Sequence, residues 1–170
     1  KKKKKKKKRV NGWRNMYYVN TKQNKAGVAI LISDRSNFRA RKVIRDKKWH
    51  YLMTKESILQ EDIIILNRYV PKIRVSKYIR QKPIELWRET DESTIIVEDF
   101  NTPLSEINRS SRQKISEDIA ELNNAINQLY IMDTYRLLHP TTAEYTFFSS
   151  SHGTFTKIDH ILSHKTRSQI

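Results

Sequence analysis

The chain has 170 residues, of which 34 are basic and 18 acidic, so its formal net charge is +16. It has no cysteine, which excludes disulfides and thiolate metal sites, and no apolar run approaches the roughly 18 residues of a membrane span. We therefore expect one soluble intracellular domain, nuclear or cytoplasmic, with no signal peptide and no membrane or disulfide partner.

The first eight residues are all lysine and supply half of the excess charge. Like charges repel and nothing apolar is present to bury, so we predict a disordered tail over residues 1–11 and a domain over 12–170. The run fits a nuclear-localisation signal, a phosphate-binding arm or a quirk of the reading frame. The remaining excess fits a polyanion-binding surface or an ordinary solvated face; it includes Arg39, Arg41, Lys42, Arg45, Lys47 and Lys48.

Strands and helices are mixed along the chain, which predicts the α/β class. Apolar β-branched runs predict strands over 27–33, 50–54, 62–67, 94–98, 146–149 and 157–162. The last two flank a Ser-rich loop that contains Gly153. Helical spacing predicts helices over 75–89, interrupted by Pro83, over 114–129 with Ser111 as its N-cap, and over 134–138. There is no internal repeat and no Gly-rich phosphate loop.

The most informative segment is the strand at 94–98 and the polar residues that follow it. Asp99 and Asn101 come at its carboxyl end, before Pro103 stops the strand. In extended geometry their side chains would point to the same side. A carboxylate that accepts a proton or holds a divalent cation, beside an amide, is what phosphodiester hydrolysis needs. The alternative interpretation is an Asx-rich turn after a strand.

Five segments together resemble the endonuclease domains of long interspersed (LINE) retrotransposons, in the same order and spacing. They are residues 25–31 (KAGVAIL), 65–71 (ILNRYVP), 97–105 (VEDFNTPLS), 144–149 (EYTFFS) and 157–162 (KIDHIL). The resemblance places the chain near the endonuclease/exonuclease/phosphatase superfamily, with apurinic/apyrimidinic (AP) endonucleases and exonuclease III. It implies a partial four-layered α/β sandwich, DNA as partner, Mg²⁺ as cofactor and a reverse transcriptase domain in the full-length ancestor.

The resemblance also implies roles for individual residues. The catalytic positions are Asp99, Asn101, Tyr69 and Asp159, and the positions near the DNA backbone are Arg109, Thr146 and Thr156. Asp99 and Asp159 are the carboxylates available to a metal, while the loop at 147–157 would set sequence choice through DNA shape. Without the resemblance, Tyr69 fits an aromatic residue at the edge of the core, and Asp159 fits a hydrogen-bonded residue at the end of a strand. Arg109, Thr146 and Thr156 then fit an ordinary polar surface.

Histidines do not add a metal site at the level of sequence. His160 follows Asp159 directly, so strand alternation would turn it to the opposite face, and we interpret it as structural. The other four histidines have no metal-ligand spacing; they are His50, His139, His152 and His164.

Several family features have no counterpart in this sequence. They are an early Asn, the metal-ligand Glu of a Glu-Thr-His motif, and the Asp-His pair of a closing Ser-Asp-His motif. With Asp99 and Asp159 alone, Mg²⁺ would be held weakly and catalysis would be impaired. Glu98 stands where the family has Gly, and Arg68 interrupts an apolar strand, where burial without a partner would be costly. The alternative functions are a non-catalytic, basic nucleic-acid-binding remnant and an unselected relic.

Overall fold

The structure is a computed structural model that describes residues 11–13, 15–20, 27–36, 38, 40–46, 51–58, 61–69, 86–88, 90–111 and 114–165. The lysine run, Pro83 and the Tyr69 side chain lie outside the described residues. The same holds for the predicted helix at 75–89, except that residues 86–88 are helical. In the described part, no helix combines the length and the apolar character needed to cross a membrane.

Besides the helical residues 86–88, the described part of the chain contains ten strands and two α-helices. The strands are β1 (Asn15–Asn20), β2 (Gly27–Ile32), β3 (Ala40–Asp46), β4 (Tyr51–Ile58), β5 (Glu61–Tyr69), β6 (Thr94–Asp99), β7 (Ile131–Asp133), β8 (Phe147–Ser149), β9 (Thr154–Thr156) and β10 (Asp159–His164). The helices are α1 (Glu117–Gln128) and α2 (Thr134–Leu138), and a short 3₁₀ turn covers Glu106–Asn108. This confirms the predicted α/β class.

The central sheet has six strands in the order β3-β4-β5-β6-β10-β7, and β1-β2 and β8-β9 form separate antiparallel pairs. All neighbours in the central sheet are antiparallel except β5 and β6, which run parallel. The chain therefore crosses over between β5 and β6, and the carboxyl ends of these two strands meet at one edge.

Two apolar clusters cover the two faces of the central sheet, because successive side chains of each strand point to opposite faces. On one face, α1 packs its buried Leu122 and Ile126 over sheet residues that include Leu66 and Ile96. On the other face, β2 packs against β4, and this cluster contains Val28, Ile30, Ile32 and Leu52. The layers are thus helix, six-stranded sheet and two-stranded sheet, which agrees with a partial α/β sandwich.

Strand β6 forms where the sequence predicted a strand. Its side chains alternate between buried and half-buried, because Ile96 faces the helix layer while Ile95 and Val97 face the other side. The turn before it is closed by Asp91, whose Oδ1 accepts from the Ser93 amide at 2.9 Å. Strands β2, β4 and β5 and the short α2 are also found where they were predicted, with boundaries differing by a few residues.

The predicted start of the long helix is wrong. Helix α1 begins at Glu117 with Ser116 as its N-cap, so Ser111 is not the cap and Ile115 lies outside the helix. Glu117 and Asp118 occupy the first turn, where negative side chains favour the positive end of the helix dipole.

The segment predicted as a Ser-rich loop contains a strand. Residues of β9 pair with β8, with Phe147 opposite Thr156 and Phe148 opposite Phe155. Gly153, with φ of +61°, lies in the connecting turn, which needs a left-handed residue.

Besides β9, sequence reasoning missed three strands, β1, β3 and β7. Strand β3 is the edge of the central sheet, and its Arg41, Lys42 and Arg45 are exposed. Charged edges discourage pairing with other chains, and these three cations lie on such a solvated strand edge.

Arg68 and Glu98, which the sequence marked as separate anomalies, are partners. They lie directly opposite each other on the parallel strands β5 and β6, and Arg68 Nη1 is 3.4 Å from Glu98 Oε1. Both side chains are almost completely buried. Burial raises the pKa of Glu98, and the Arg68 charge opposes that rise. Arg68 therefore does not incur the free-energy cost of an unpaired buried charge, because Glu98 on the next strand is its partner.

Breaking this pair from either side should destabilise the fold. We expect Arg68→Met or Glu98→Leu alone to lower the free energy of unfolding by about 3–5 kcal/mol, since each leaves a buried charge without its partner. The double substitution should recover most of that loss, because two apolar side chains need no compensation. Urea denaturation of all four proteins measures the coupling; additive losses would show that the pair does not interact.

Glu56 on β4 is fully buried, and neither carboxylate oxygen has a hydrogen-bond partner within the described part of the chain. Burial raises the pKa of Glu56 to about 7, against the opposing positive charge of Arg41. A carboxyl that binds its proton more tightly when folded favours the folded state at low pH. That contribution is complete below the ordinary value of 4.5 and is lost as the pH rises through about 7.

The variant Glu56→Gln should remove this pH dependence. We expect it to be more stable than the parent chain above pH 7, because no buried charge forms, with the gain shrinking toward pH 4.5. Thermal melts across this range measure the difference, and Glu61→Gln, at an exposed position of β5, is the control. A stability difference that does not change with pH would contradict the assignment.

Candidate functional site

Three predicted site residues form one row across three adjacent strands. In β5 and β6, Tyr69 is opposite Asp99, and in β6 and β10, Asp99 is opposite Asp159. In the antiparallel pair, Asp99 and Asp159 have Cα atoms about 4.5–5.5 Å apart, and their side chains point to the same face. The sheet thus brings together positions that are separated by up to 90 residues in sequence. We call Tyr69, Asp99 and Asp159 the site row.

Asp99 is half-buried at the end of β6, and its Oδ1 accepts from the Asn101 amide at 2.9 Å. Burial raises the pKa of Asp99; the Asn101 hydrogen bond opposes this, the neighbouring Asp159 charge adds to it, and His160 again opposes it. The net result is a carboxylate whose pKa is shifted toward neutral pH. Such a group is a better proton acceptor from water than an ordinary aspartate.

Asn101 does not continue the strand. Its φ is +53°, in the left-handed region, and β6 ends at Asp99. The predicted same-side arrangement based on extended geometry is therefore wrong, because the backbone turns between the two residues. The Asx turn that was the alternative interpretation is present, and it holds the half-buried Asn101 next to the Asp99 carboxylate.

Asp159 is exposed at the start of β10 and is held by Thr146. The Thr146 Oγ1 accepts from the amides of Ile158 and Asp159, at 3.0 and 3.2 Å. A hydroxyl that accepts twice still has its own O–H to donate, so Thr146 can also serve a phosphate oxygen.

The three predicted DNA-backbone positions lie together. Arg109 forms an isolated antiparallel bridge with Thr156, and the Thr146 amide donates to the Thr156 carbonyl at 3.1 Å. Through Thr146 this group, which we call the donor cluster, is joined to Asp159 of the site row. The structure therefore places all seven predicted site residues in one connected region, although their roles stay predictions.

His160 lies on the buried face, opposite to the exposed Asp159, as predicted. Its Nδ1 is 2.7 Å from Oδ2 of Asp133, a residue that sequence reasoning missed. Lys157 Nζ is 3.9 Å from the same oxygen and 3.8 Å from the centre of the Tyr135 ring. Burial alone would raise the pKa of Asp133, but His160, the Arg136 amide and Lys157 bring it below its usual value.

Asp133 could have been recognised from its position before α2. Its Oδ1 accepts from the Arg136 amide at 3.1 Å, so it is the N-cap of that helix. An aspartate before a short helix is a capping signal, whereas its second bond to His160 depends on the pairing of β7 with β10.

A divalent cation at this site would have few ligands. Asp99 and Asp159 face the same side, and their mutual repulsion favours a cation between them. Within the described residues, however, no group of three or more His, Cys, Asp or Glu side chains could hold a metal ion. The groups available to such a cation would be the two carboxylates and the Asn101 amide, and so few protein ligands would hold Mg²⁺ weakly.

No family model matches the chain. Among solved structures it is similar to an AP endonuclease from Archaeoglobus fulgidus, at 20% identity and a TM-score of 0.68, covering 93% of this chain and 69% of that one. It is also similar to the endonuclease domain of TRAS1, a telomere-specific non-LTR retrotransposon, at 9% identity and a TM-score of 0.61, with coverages of 89% and 68%.

A third likeness is to D. rerio TDP2 complexed with a single-strand DNA product, at 12% identity and a TM-score of 0.57, covering 89% of this chain and 63% of that one. The chain thus spans roughly two thirds of the length of these structures. At such low identities the likenesses establish the fold, and they confirm the fold that the sequence motifs implied.

The Thr146 hydroxyl should be needed to hold the start of β10. We expect Thr146→Val to speed hydrogen exchange at the amides of Ile158 and Asp159, because both lose their acceptor, and to destabilise the fold by about 1 kcal/mol. Thr146→Ser keeps the hydroxyl and should preserve the protection. Amide exchange followed by NMR measures both variants, and unchanged exchange in Thr146→Val would rule out this role.

Proposed function

Because the chain has the fold of the endonuclease/exonuclease/phosphatase superfamily, we propose that the site row is the centre of a LINE-type DNA endonuclease site that hydrolyses a phosphodiester bond. The supporting observation is that motifs from three distant segments converge. Tyr69, Asp99 and Asp159 are adjacent only because β5, β6 and β10 are neighbours in register. The likeness to a retrotransposon endonuclease domain supports the same proposal. We further propose that this activity nicks target-site DNA and that the full-length ancestor also contained a reverse transcriptase domain.

The proposed reaction is an in-line attack of water on phosphorus. Asp99 takes a proton from the water, since its raised pKa suits it to this role, and the half-buried Asn101 amide orients the water or a phosphate oxygen. The bond from phosphorus to the leaving oxygen breaks, and that oxygen takes a proton from solvent. The donor cluster of Arg109, Thr146 and Thr156 would hold the DNA backbone.

Asp99 and Asp159 would hold the metal. Mg²⁺ supplies neutralisation of the phosphate charge when bound. No group of three or more His, Cys, Asp or Glu side chains in the described part of the chain could hold a metal ion. With only two carboxylates as ligands, we expect weak metal binding and slow turnover.

A second function, nucleic-acid binding without hydrolysis, is favoured by the donor cluster. The bridge between Arg109 and Thr156 and the hydrogen bonds of Thr146 involve backbone groups and a hydroxyl, and no carboxylate side chain takes part in them. Together with the net charge of +16, they could hold a phosphate backbone even if no bond is cleaved.

Nicking of supercoiled plasmid in the presence of Mg²⁺ distinguishes the two functions. We expect slow, EDTA-sensitive nicking that Asp99→Asn reduces by about 10²–10⁴-fold, because the proton acceptor is lost. Glu92→Gln, at an exposed position before β6, should leave the rate unchanged. Salt-dependent DNA binding without nicking would favour the second function, and a folded protein that neither nicks nor binds DNA would overturn both.

A further inference from the structure

The segment between α2 and the β8-β9 hairpin is exposed, but one side chain ties it to α2. Residues 139–146 form neither a helix nor a strand, and all of them are exposed. Arg136 Nη1 donates to the carbonyls of His139, Pro140 and Thr142, at 3.2, 3.3 and 3.0 Å. Since Nη1 has two N–H groups, one of them is shared between two carbonyls. We call these hydrogen bonds the Arg136 anchor.

Arg136 is itself held in place through its backbone. Its amide donates to Asp133 Oδ1 at 3.1 Å, and the second oxygen of Asp133 is 2.7 Å from His160 Nδ1 on β10. The neighbouring Tyr135 also reaches the exposed segment, because a hydrogen bond to Glu144 raises the pKa of the Tyr135 hydroxyl. The anchor is thus built on a helix that is fixed to the central sheet.

The far end of the same segment is Thr146, which belongs to the donor cluster. Its hydroxyl accepts from the amides of Ile158 and Asp159, and its own amide donates to the Thr156 carbonyl. Only residues 143–145 separate it from the last carbonyl of the anchor. The segment is therefore held at one end by α2 and at the other end by the site.

Ordering this segment in advance favours binding at the site. A segment that is already fixed loses no further backbone freedom when a ligand contacts it, whereas a mobile segment must be ordered at that moment. Arg136 is outside the donor cluster and the site row, and its guanidinium donates to carbonyls of its own chain. Its contribution to DNA binding would therefore be indirect.

We propose that Arg136 is a positioning residue of the proposed DNA site. It orders residues 139–146, so that Thr146 holds Asp159 and the donor cluster in the arrangement that binds the DNA backbone. The inference rests on the proposed function for the nature of the ligand, and it adds a residue that controls affinity without contacting DNA. Charge alone does not give this role, because the compact ammonium of lysine does not reproduce the planar fork of a guanidinium.

Amide hydrogen exchange of the full chain, followed by NMR, tests the anchor without DNA. We expect Arg136→Lys and Arg136→Gln to speed exchange at the amides of Ile158 and Asp159 by about 5- to 10-fold, the factor that corresponds to loss of about one hydrogen bond. The amides of Leu66 and Ile96, in the core of the central sheet, should keep their protection, which separates this effect from global unfolding.

DNA binding tests the link from the anchor to the site. The probe is a fluorescent duplex oligonucleotide, titrated with the full chain at several salt concentrations. We expect both Arg136 variants to bind it about 5- to 10-fold more weakly than the parent chain. The dependence of binding on salt should stay the same, because no phosphate contact is lost.

Matched variants control for charge and for the loss of a hydrogen bond. Arg88→Lys and Arg88→Gln make the same two changes at an exposed position of the helical residues 86–88. Asn123→Ala removes the hydrogen bond from Asn123 Nδ2 to the Leu104 carbonyl, away from the site. All three should bind the duplex nearly as the parent chain does and leave exchange at Ile158 and Asp159 unchanged.

The outcomes distinguish failure of this inference from failure of the proposed function. Unchanged exchange at the two site amides, or full DNA affinity in both Arg136 variants, would overturn the inference alone. So would full affinity in Arg136→Lys with a smaller salt dependence in Arg136→Gln, because that pattern indicates a direct phosphate contact. A folded parent chain that binds no DNA would overturn the proposed function and this inference with it.

Discussion

The register between the parallel strands β5 and β6 is the constraint on which the site depends. This register places the buried residues Arg68 and Glu98 directly opposite each other, with Arg68 Nη1 3.4 Å from Glu98 Oε1. A slip of one residue would leave both charges without a partner in the interior and would turn every side chain of one strand to the wrong face. The same register places Tyr69 opposite Asp99, so the two rows of residues are fixed together.

The buried pair is part of a longer polar row on the helix-facing side of the sheet. Glu98 lies opposite His160 on β10, and His160 contacts Asp133 at the end of β7. Phe100 packs its ring edge-on against both Trp87 and His160, with centres 6.2 and 5.6 Å apart. Polar side chains thus form a row across four strands, β5, β6, β10 and β7, next to an apolar cluster. Such a row adds little net stability, because desolvation offsets attraction, but it penalises other strand pairings strongly.

At neighbouring positions of β5, β6 and β10, the two faces of the sheet therefore carry different sets of residues. Residues 68, 98 and 160 face the helix layer and fix the pairing of the strands. Residues 99 and 159 face the other side, and with position 69 in register they form the site row. The short hairpin of β8 and β9 is attached to this arrangement through Thr146, which binds the amide of Asp159. The predicted phosphate donors and the carboxylates of the site row are consequently held by one hydrogen-bonded framework.

The sequence by itself determined the α/β class, strand β6 with its Asp99, the short helix α2 and the opposite facing of Asp159 and His160. These features follow from local periodicity and from motifs whose spacing is carried by the chain. It did not reveal β3, whose charges reflect an exposed sheet edge, or β9, whose Ser-rich surroundings are typical of a loop.

Only the tertiary structure decided that Arg68 and Glu98 are one pair, that His160 binds Asp133, and that Thr146 holds Asp159. The physical reason is that each of these contacts joins residues 13 to 30 positions apart in sequence. Local propensity carries no information about such contacts, because they exist only once strands pair in a particular order and register.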